Sequence, residues 1–437
     1  MVGLVKVFVQ GFGCSSSISD AEVMAGCLRD AGFELVGYIE EADVVVYNTC
    51  GVKAPTENKM FHLLKAVPTK KRLVVAGCLP LINYPRLMRD ARFDAVVGPA
   101  FGDRIVEVVK RVLCGEKVVC LNDSLRNKSR LDLPRARVNS IVGITPVAYG
   151  CGGKCSYCCV RFARGELRSF RIDEIVDYVE KSLNAGVKEF WFTGQDVARY
   201  GWDIGVDFVD LLKHVRNVNA KEDFWIRIGM MTPNGLKSFL ESFISFLASL
   251  EGKLHVFEFF HVPVQSGDDG VLKLMNRRYT VDDFSHVIST LKQTFPRATI
   301  ATDVIVGFPG ETEETFEHTL QLIEKVKPDI VNVSKFFARP NTPAERMEKK
   351  VEATEIKRRS EEMAKLVRQI ALQRNKAWIG WSGSVLIDEK GKKLGSWVGR
   401  NFAYKPIVIQ HEDNLLGKTL NVQVVDAFQS HLKGEII

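Results

Sequence analysis

The run Tyr149-Gly150-Cys151-Gly152-Gly153-Lys154-Cys155-Ser156-Tyr157-Cys158 carries three cysteines at C-x3-C-x2-C spacing in a glycine-rich segment. A loop this short can direct all three thiolates at one centre. A [4Fe–4S] cluster normally takes four Cys ligands, so three from one loop leave one iron open to a small chelating molecule. Zinc sites favour C-x2–4-C pairs and four ligands, commonly with His, and this loop contains no His. We therefore predict that Cys151, Cys155 and Cys158 bind a [4Fe–4S] cluster.

A second set of cysteines lies in residues 1–120, where three apolar strand patterns each end at a cysteine. Apolar strands that alternate with helices predict a parallel sheet with covered faces. Ligands of such sheets bind outside the carboxyl ends of the strands. We therefore expect Cys14, Cys50 and Cys78 to meet there as a second three-thiolate site. The other cysteines lack this placement, and we interpret them as packing residues: Cys27, Cys114, Cys120 and Cys159.

Residues 139–344 alternate strand and helix patterns, which predicts a partial (βα)6 barrel similar to a TIM barrel. The predicted strands lie near 141–148, 187–193, 224–229, 254–262, 298–307 and 329–337, and the helices near 171–185, 206–217, 234–249, 281–294 and 312–327. Function belongs at the carboxyl ends of barrel strands, and the cysteine loop follows the first strand. Polar side chains near the other strand ends are candidate ligand contacts: Gln195, Arg227, Gln265 and Arg339.

The remaining segments connect or follow these two domains. Residues 121–138 are polar and predict a linker whose basic side chains either meet phosphates or are simply solvated: Arg126, Lys128, Arg130, Arg135 and Arg137. Residues 345–376 predict a charged connecting helix. Residues 377–437 alternate strand patterns with Gly turns, which predicts a small antiparallel β-barrel of the OB kind, a fold that often binds nucleic acid.

The overall composition is that of a soluble globular protein, with 437 residues, 46% hydrophobic and 26% charged. We find no signal-peptide pattern and no apolar run of about 18 residues, and we expect a cytoplasmic protein without a membrane segment. Ten cysteines in such a chain indicate metal or redox use and not disulfides. A net charge of +7 permits a nucleic-acid partner without requiring one.

In this order the parts resemble the radical S-adenosylmethionine (SAM) methylthiotransferases over nearly the whole chain. The cysteine loop on the first barrel strand is similar to the radical SAM superfamily, and the three-cysteine N-terminal domain and TRAM-like C-terminal barrel narrow the resemblance. The matching motifs are Gly13-Cys14 with Asp20-Ala21-Glu22, Asn48-Thr49-Cys50-Gly51-Val52, Gly77-Cys78, Arg164-Gly165 and Ser169. One departure is Ser17, where the family commonly has Asn.

Two segments resemble the archaeal and eukaryotic branch of this family, which acts on N6-threonylcarbamoyladenosine next to the tRNA anticodon. They are residues 53–57 (KAPTE) and 162–170 (FARGELRSF). The branches that act on isopentenyladenosine in tRNA or on a ribosomal-protein aspartate usually have Pro in place of Arg161 and Arg in place of Phe170. The resemblance therefore implies the threonylcarbamoyladenosine substrate, with the other two substrates as alternatives.

The resemblance also implies a reaction with two [4Fe–4S] clusters and SAM. The loop cluster would cleave SAM to a 5′-deoxyadenosyl radical, which removes hydrogen from carbon 2 of the adenine. The N-terminal cluster would hold the sulfur that is methylated and transferred. The strand-end candidates Gln195, Arg227, Gln265 and Arg339 would contact SAM.

The expected partners are the tRNA anticodon loop and a reductant such as flavodoxin or ferredoxin, and the sulfur source is unknown. An alternative from another class is a two-cluster electron-transfer or RNA-binding protein without a radical step.

Overall fold

The computed structural model of the chain describes residues 4–121 and 129–437. Two of the predicted phosphate contacts, Arg126 and Lys128, lie outside the described residues. The described chain forms a parallel α/β sheet, a partial parallel barrel and a small closed β-barrel. The predicted fold class is therefore confirmed.

The N-terminal sheet is parallel, with strand order β2-β1-β3-β4-β5-β6. Its strands are β1 (Lys6–Gly11), β2 (Glu34–Leu35), β3 (Val44–Thr49), β4 (Arg72–Gly77), β5 (Ala95–Val97) and β6 (Val118–Cys120). Its helices are α1 (Ser15–Asp30), α2 (Ala54–Ala66), α3 (Leu79–Ile82), α4 (Tyr84–Asp90) and α5 (Ile105–Leu113). Alternate residues of β3 enter two cores: Val46 packs with α1 and α5, and Tyr47 packs with α2. Both faces of the sheet are covered, as its apolar strands require.

The central domain is an open barrel of two parallel sheets, ordered β12-β11-β10-β7 and β13-β14-β15. Its strands are β7 (Val142–Pro146), β8 (Ala148–Tyr149), β9 (Arg168–Ser169), β10 (Glu189–Thr193), β11 (Phe224–Ile228), β12 (Leu254–Val256), β13 (Phe259–His261), β14 (Thr299–Val306) and β15 (Ile330–Lys335). Its helices are α6 (Val160–Arg164), α7 (Ile172–Asn184), α8 (Phe208–Arg216), α9 (Pro233–Lys237), α10 (Leu240–Ala248), α11 (Asp269–Leu274), α12 (Val281–Thr294) and α13 (Glu313–Val326).

One predicted barrel strand, 254–262, is divided into β12 and β13. At the break, the backbone N–H of Glu258 donates to the carbonyl of Phe402 in the C-terminal domain, at 2.8 Å. The sequence pattern alone could not show this contact, because Phe402 lies far along the chain.

The C-terminal domain is a closed barrel, ordered β16-β17-β18-β20-β19. Its elements are α14 (Ala353–Lys376), β16 (Ser382–Lys390), β17 (Ser396–Arg400), β18 (Pro406–Gln410), β19 (Thr419–Ala427) and β20 (Leu432–Ile436). Its neighbouring strands are antiparallel except for the parallel pair β18 and β20. Helix α14 begins at Ala353, later than predicted, and its Arg359 forms a buried ion pair with Glu311 at 2.9 Å. No helix of the described chain is long and apolar enough to span a bilayer.

The two ends of the central barrel are covered by different domains. The C-terminal barrel contacts the amino ends of the strands: Asn139 donates to the Asp388 carbonyl at 2.6 Å, Tyr404 to Glu189 at 3.0 Å, and Lys405 to Asp329 at 2.8 Å. The N-terminal domain covers the carboxyl ends, where the Ser15 and Thr193 hydroxyls lie 2.7 Å apart.

The described part of the predicted linker, residues 129–138, packs in part against both domains, while its Arg130 remains exposed. Its Arg135 bonds the Ser19 hydroxyl on α1 at 2.7 Å, and Arg137 bonds the Ser182 hydroxyl on α7 at 2.8 Å. The segment therefore fastens the N-terminal domain to the flank of the barrel.

Glu189 makes the junction with the C-terminal barrel sensitive to pH. Burial, and then the nearby Asp388 carboxylate, raise the pKa of Glu189 to about 7, although Trp191, Arg400 and Tyr404 oppose the shift. At a pH above the ordinary pKa of glutamate, the Glu189 carboxyl loses its proton in the unfolded chain, whereas the folded chain keeps it. The junction therefore loses stability as the pH rises from the ordinary pKa of glutamate toward about 7.

We predict that Glu189→Gln becomes more stable relative to the wild type as pH rises. Denaturant unfolding at about pH 5 and about pH 8 measures this difference. The same substitution at the exposed Glu180 is the control. If Glu189→Gln changed the free energy of unfolding by the same amount at both pH values, the raised pKa of Glu189 would be contradicted.

Candidate active site between two cysteine triads

Cys14, Cys50 and Cys78 follow three adjacent strands, β1, β3 and β4. Gly13 has a φ of 105°, and a β-carbon there would lie 2.9 Å from the Cys50 sulfur. The backbone before Cys14 therefore approaches Cys50 closely, which only glycine permits. The backbone N–H of Cys78 donates to the Thr49 carbonyl at 2.9 Å, so its position is tied to that of Cys50. We call these residues the strand-end triad.

Cys151, Cys155 and Cys158 lie on the loop between β8 and α6, and we call them the loop triad. Gly150 has a φ of 76°, and a β-carbon there would lie 1.8 Å from the Glu166 carbonyl oxygen. A β-carbon at Gly153 would have the sulfurs of Cys151 and Cys155 both within 4 Å. The glycines thus let the loop close tightly enough to direct these two thiols toward one place.

The residues directly after α11 hold the loop triad against the barrel. The sequence patterns did not single out these residues. The backbone N–H of Ser156 donates to the Met275 carbonyl at 3.0 Å, and the Asn276 amide donates to the Lys154 carbonyl at 2.6 Å. Arg277 donates to the Tyr157 hydroxyl at 2.5 Å. Three consecutive residues therefore fix the loop to the barrel, a role that only the tertiary structure reveals.

The two triads meet across a small apolar cluster that joins α3 to α6. We call it the apolar seam, and its buried members are Cys78, Ile82, Cys159 and Ala163. Cys78 belongs to the strand-end triad, and Cys159 directly follows the loop triad. The seam therefore brings the two cysteine sites to one mouth of the barrel, and Cys159 packs within it, as predicted.

A buried ion pair lies beside the seam. Arg164 and Asp20 are 2.7 Å apart, with side-chain exposures of 1% and 0%. The Tyr149 hydroxyl donates to the other Asp20 oxygen at 2.7 Å. The electrostatic influence of Arg164 extends to Cys78 and Cys14, whose thiolates would favour its charged form. This guanidinium therefore joins the N-terminal helix, the barrel and the strand-end triad.

Burial opposes ionisation of the thiols in both triads. It raises the pKa of Cys78 to about 12, and it raises the pKa of Cys158 to about 11 with a further contribution from Cys155. Ligation by iron provides the positive charge that stabilises such thiolates. No three His, Cys, Asp or Glu side chains in residues 4–121 and 129–437 are grouped to hold a single metal ion. A [4Fe–4S] cluster instead binds each thiolate through a different iron.

Gln195 is the strand-end candidate whose sequence neighbour, Asp196, acts on the loop triad. It follows β10, and its buried Oε1 has no hydrogen-bond partner in the described chain. The adjacent Asp196 accepts a hydrogen bond from the Thr232 N–H at 3.0 Å. Burial raises the pKa of the Cys151 thiol, and the Asp196 carboxylate raises it further. An unpaired buried acceptor beside the loop fits the amino group of a small ligand.

The other candidates lie at three different places. Gln265 is buried and has a φ of 71°, a strained conformation that often accompanies function. Arg227 faces the barrel interior, with its guanidinium 4.9 Å from the centre of the Phe259 ring. Arg339 pairs with Glu57, and its charge favours the ionised form of Cys159, a member of the seam. Contact of these residues with SAM remains a prediction.

The departure at Ser17 leaves local hydrogen bonding intact. The Asn48 amide donates to the Ser17 carbonyl at 2.5 Å and to its hydroxyl at 3.1 Å. The serine hydroxyl thus serves as an acceptor between Cys14 and Cys50.

Two segments of the chain match known families. Residues 145–323 match the Radical SAM superfamily, and residues 6–98 match Uncharacterized protein family UPF0004. The first match covers the loop triad, and the second covers the strand-end triad.

Two curated proteins are similar over almost the whole chain. A protein of Pyrococcus horikoshii named "Probable threonylcarbamoyladenosine tRNA methylthiotransferase" is 37% identical over 436 residues, which cover 99% of this chain and 100% of that protein. The threonylcarbamoyladenosine tRNA methylthiotransferase of Xenopus laevis is 36% identical, over 99% of this chain and 77% of that protein. Among solved structures, the radical S-adenosylmethionine methyltransferase TsrM from Kitasatospora setae has a TM-score of 0.55 at 16% identity, over 78% of this chain and 74% of that chain. This last likeness shows a shared fold.

We predict that Arg164→Met lowers the free energy of unfolding by about 3–5 kcal/mol, because it leaves the buried Asp20 carboxylate without its cation. Urea unfolding of the cluster-free protein measures the loss. The double variant with Arg164→Met and Asp20→Asn should lose less free energy of unfolding than Arg164→Met alone, because no unpaired charge remains. A double variant that loses the sum of the two single effects would show that the two side chains do not interact.

We also predict that anaerobic reconstitution gives about eight iron atoms per chain, two clusters of four. Cys14→Ala should lose about half of that iron. Cys114→Ala, at an exposed cysteine outside both triads, should lose none. About four iron atoms in the intact protein would exclude a cluster on the strand-end triad.

Proposed function

This chain belongs to the radical SAM family of threonylcarbamoyladenosine tRNA methylthiotransferases, and we propose that its two cysteine triads carry out the family's reaction at one mouth of the barrel. The reaction converts N6-threonylcarbamoyladenosine next to the tRNA anticodon to its 2-methylthio derivative. The observation that supports this assignment most strongly is the apolar seam. It joins the strand-end triad to the loop triad, so that one adenine can reach both.

Each triad is assigned one [4Fe–4S] cluster. Cys151, Cys155 and Cys158 would hold the cluster that binds SAM, and the strand-end triad would hold the cluster that carries sulfur. When bound, these groups supply the electron, the radical, the sulfur and the methyl group, while the protein supplies binding and orientation. Three thiolates per triad leave one iron of each cluster without a protein ligand. Those two open positions are the ones that the reaction requires.

Gln195 is assigned to the SAM side of the site. Its unpaired Oε1 can accept a hydrogen bond from the SAM amino group. Asp196 keeps the turn after β10 in place through Thr232 and Arg199. Gln195 is therefore a binding residue in this proposal, and Asp196 is a positioning residue.

The apolar seam protects the reaction from water. Ile82 and Ala163 are buried between the triads, with exposures of 3% and 0%. Apolar side chains at this place exclude water from reactive species and strengthen nearby electrostatic interactions. The seam thus serves both to join the two sites and to keep the space between them dry.

The anticodon loop of tRNA is the assigned partner, and relatives that are similar over almost the whole chain are named as tRNA enzymes. A low-potential reductant such as flavodoxin or ferredoxin would supply the electron. A cytoplasmic location would place the enzyme with its tRNA and keep its thiols reduced.

We predict that the reconstituted protein, given SAM and dithionite, forms 2-methylthio-N6-threonylcarbamoyladenosine in tRNA that carries the threonylcarbamoyl group. Mass spectrometry of digested nucleosides detects the product. Cys151→Ala should form neither this product nor 5′-deoxyadenosine.

Matched tRNA that lacks the threonylcarbamoyl group is the substrate control. Methylthiolation of that tRNA, or of tRNA carrying isopentenyladenosine, would contradict the assigned substrate. Absence of 5′-deoxyadenosine from the wild-type reaction would instead favour an electron carrier or an RNA-binding protein.

A further inference from the structure

The interior of the central barrel contains a layer of polar side chains. Alternate strand residues face the helices or the interior, and in β11 Ile226 packs toward the helices while Arg227 faces inward. The neighbours of Arg227 are the rings of Trp191 and Phe259, whereas strands β13, β14 and β15 carry three inward polar residues that contact one another. We call these three residues the polar layer: His261, Asp303 and Asn332. Interiors of TIM barrels are filled mainly by bulky branched apolar residues, so this layer requires a reason.

Hydrogen bonds connect the three members of the polar layer. His261 Nε2 lies 3.0 Å from one Asp303 oxygen, and the Asn332 amide donates to the other at 2.8 Å. Burial alone would raise the pKa of Asp303, but hydrogen bonds and the charges of His261 and Lys53 lower it below its ordinary value. His261 and Asp303 keep side-chain exposures of 20% and 28%. The layer is therefore ordered and still accessible from the open barrel.

Arg227 also faces inward, and no carboxylate of the described chain forms an ion pair with its guanidinium. Its guanidinium lies 5.4, 4.9 and 5.2 Å from the ring centres of Trp191, Phe259 and Tyr404. Its buried Nε has no hydrogen-bond partner in the described residues. The rings stabilise the cation and leave a donor available to an anionic or carbonyl group.

Lys53 brings a cation to the open side of the polar layer. It lies three residues after Cys50, and three residues span at most about 10 Å of backbone. Its ammonium donates to the Ser334 hydroxyl on β15 at 2.9 Å. Lysine has three donors, so two remain for a ligand. Lys53 therefore connects the strand-end triad to the barrel strand that carries Asn332.

We propose that Lys53 and the polar layer bind the threonylcarbamoyl substituent of the adenine, with Lys53 paired to its carboxylate. The inference rests on the proposed function, because it needs adenine carbon 2 to lie between the triads. Carbon 2 and carbon 6, which carries the N6 substituent, flank the same ring nitrogen, so a base held there places its substituent in the space beside the seam. Lys53 and the polar layer border that space.

The polar groups of the threonylcarbamoyl substituent match those of Lys53 and the polar layer. The substituent carries a carboxylate, a hydroxyl and two ureido N–H groups. The ammonium of Lys53 fits the carboxylate through a charge-assisted hydrogen bond. Asp303 can accept from the hydroxyl or the ureido N–H groups. An apolar isopentenyl group could form none of these hydrogen bonds, so the site favours the threonylcarbamoyl group.

Binding of anticodon stem-loop RNAs to the anaerobic holoenzyme tests the proposal. Two RNAs are compared by fluorescence polarisation, one with N6-threonylcarbamoyladenosine and one with unmodified adenosine at the same position. The wild type should bind the modified RNA more tightly. Lys53→Met should weaken binding of the modified RNA about tenfold or more and leave the unmodified RNA nearly unchanged.

Three variants separate recognition from general electrostatics. Lys53→Arg should retain most of the preference, because it keeps the charge. Lys59→Met removes the same charge from an exposed position on α2 and should not change the ratio of the two affinities. Asn332→Ala should reduce the preference by releasing Asp303. Iron content and thermal unfolding confirm that each variant is folded and loaded.

Two results would overturn the inference. The first is a Lys53→Met variant with an unchanged ratio of the two affinities, as expected if Lys53 contacts a phosphate and its loss weakens both RNAs equally. The second is equal wild-type affinity for both RNAs. Product formation by the same wild-type preparation shows that the proposed function stands in these cases, so the two failures are distinguishable.

Discussion

The buried ion pair of Arg164 and Asp20 is the constraint on which the arrangement of the site depends. Two charges removed from water require close pairing and further hydrogen bonds, and Tyr149 provides one of them. Asp20 lies on the helix that begins just after Cys14, and Arg164 ends the helix that follows the loop triad. Any displacement of the N-terminal domain would separate Arg164 from Asp20. The energy of this ion pair therefore opposes separation of the two triads.

The parallel architecture explains why all of the reactive cysteines lie at one mouth. In both α/β domains the cysteines follow the carboxyl ends of strands, where helices leave room for ligands. The C-terminal barrel covers the opposite, amino ends through Tyr404 and Lys405. The two coverings leave the open side beside β15 as a way into the polar interior, next to Lys53 and the loop that carries Cys50.

The sequence predicted those parts of the site that follow local rules. Cys14, Cys50 and Cys78 could be brought together because each ends an apolar strand, and the loop triad was evident from spacing. Asn276, Arg277 and Lys53 could not be assigned, because their roles depend on contacts with residues 120 or more positions away. Strand-end position also grouped Arg339 with Gln195, although its partner Glu57 draws it toward the seam. Strand ends identify an edge of a sheet, and only packing decides which side chains share a place on it.

The facing arrangement of the two triads is tested most directly by electron paramagnetic resonance of the reduced, fully reconstituted protein. Clusters held across the small apolar seam are close enough for their spins to couple. The wild-type spectrum should then be broader than, and different from, the sum of the spectra of Cys14→Ala and Cys151→Ala, each of which retains one cluster. A wild-type spectrum equal to that sum would contradict the facing arrangement.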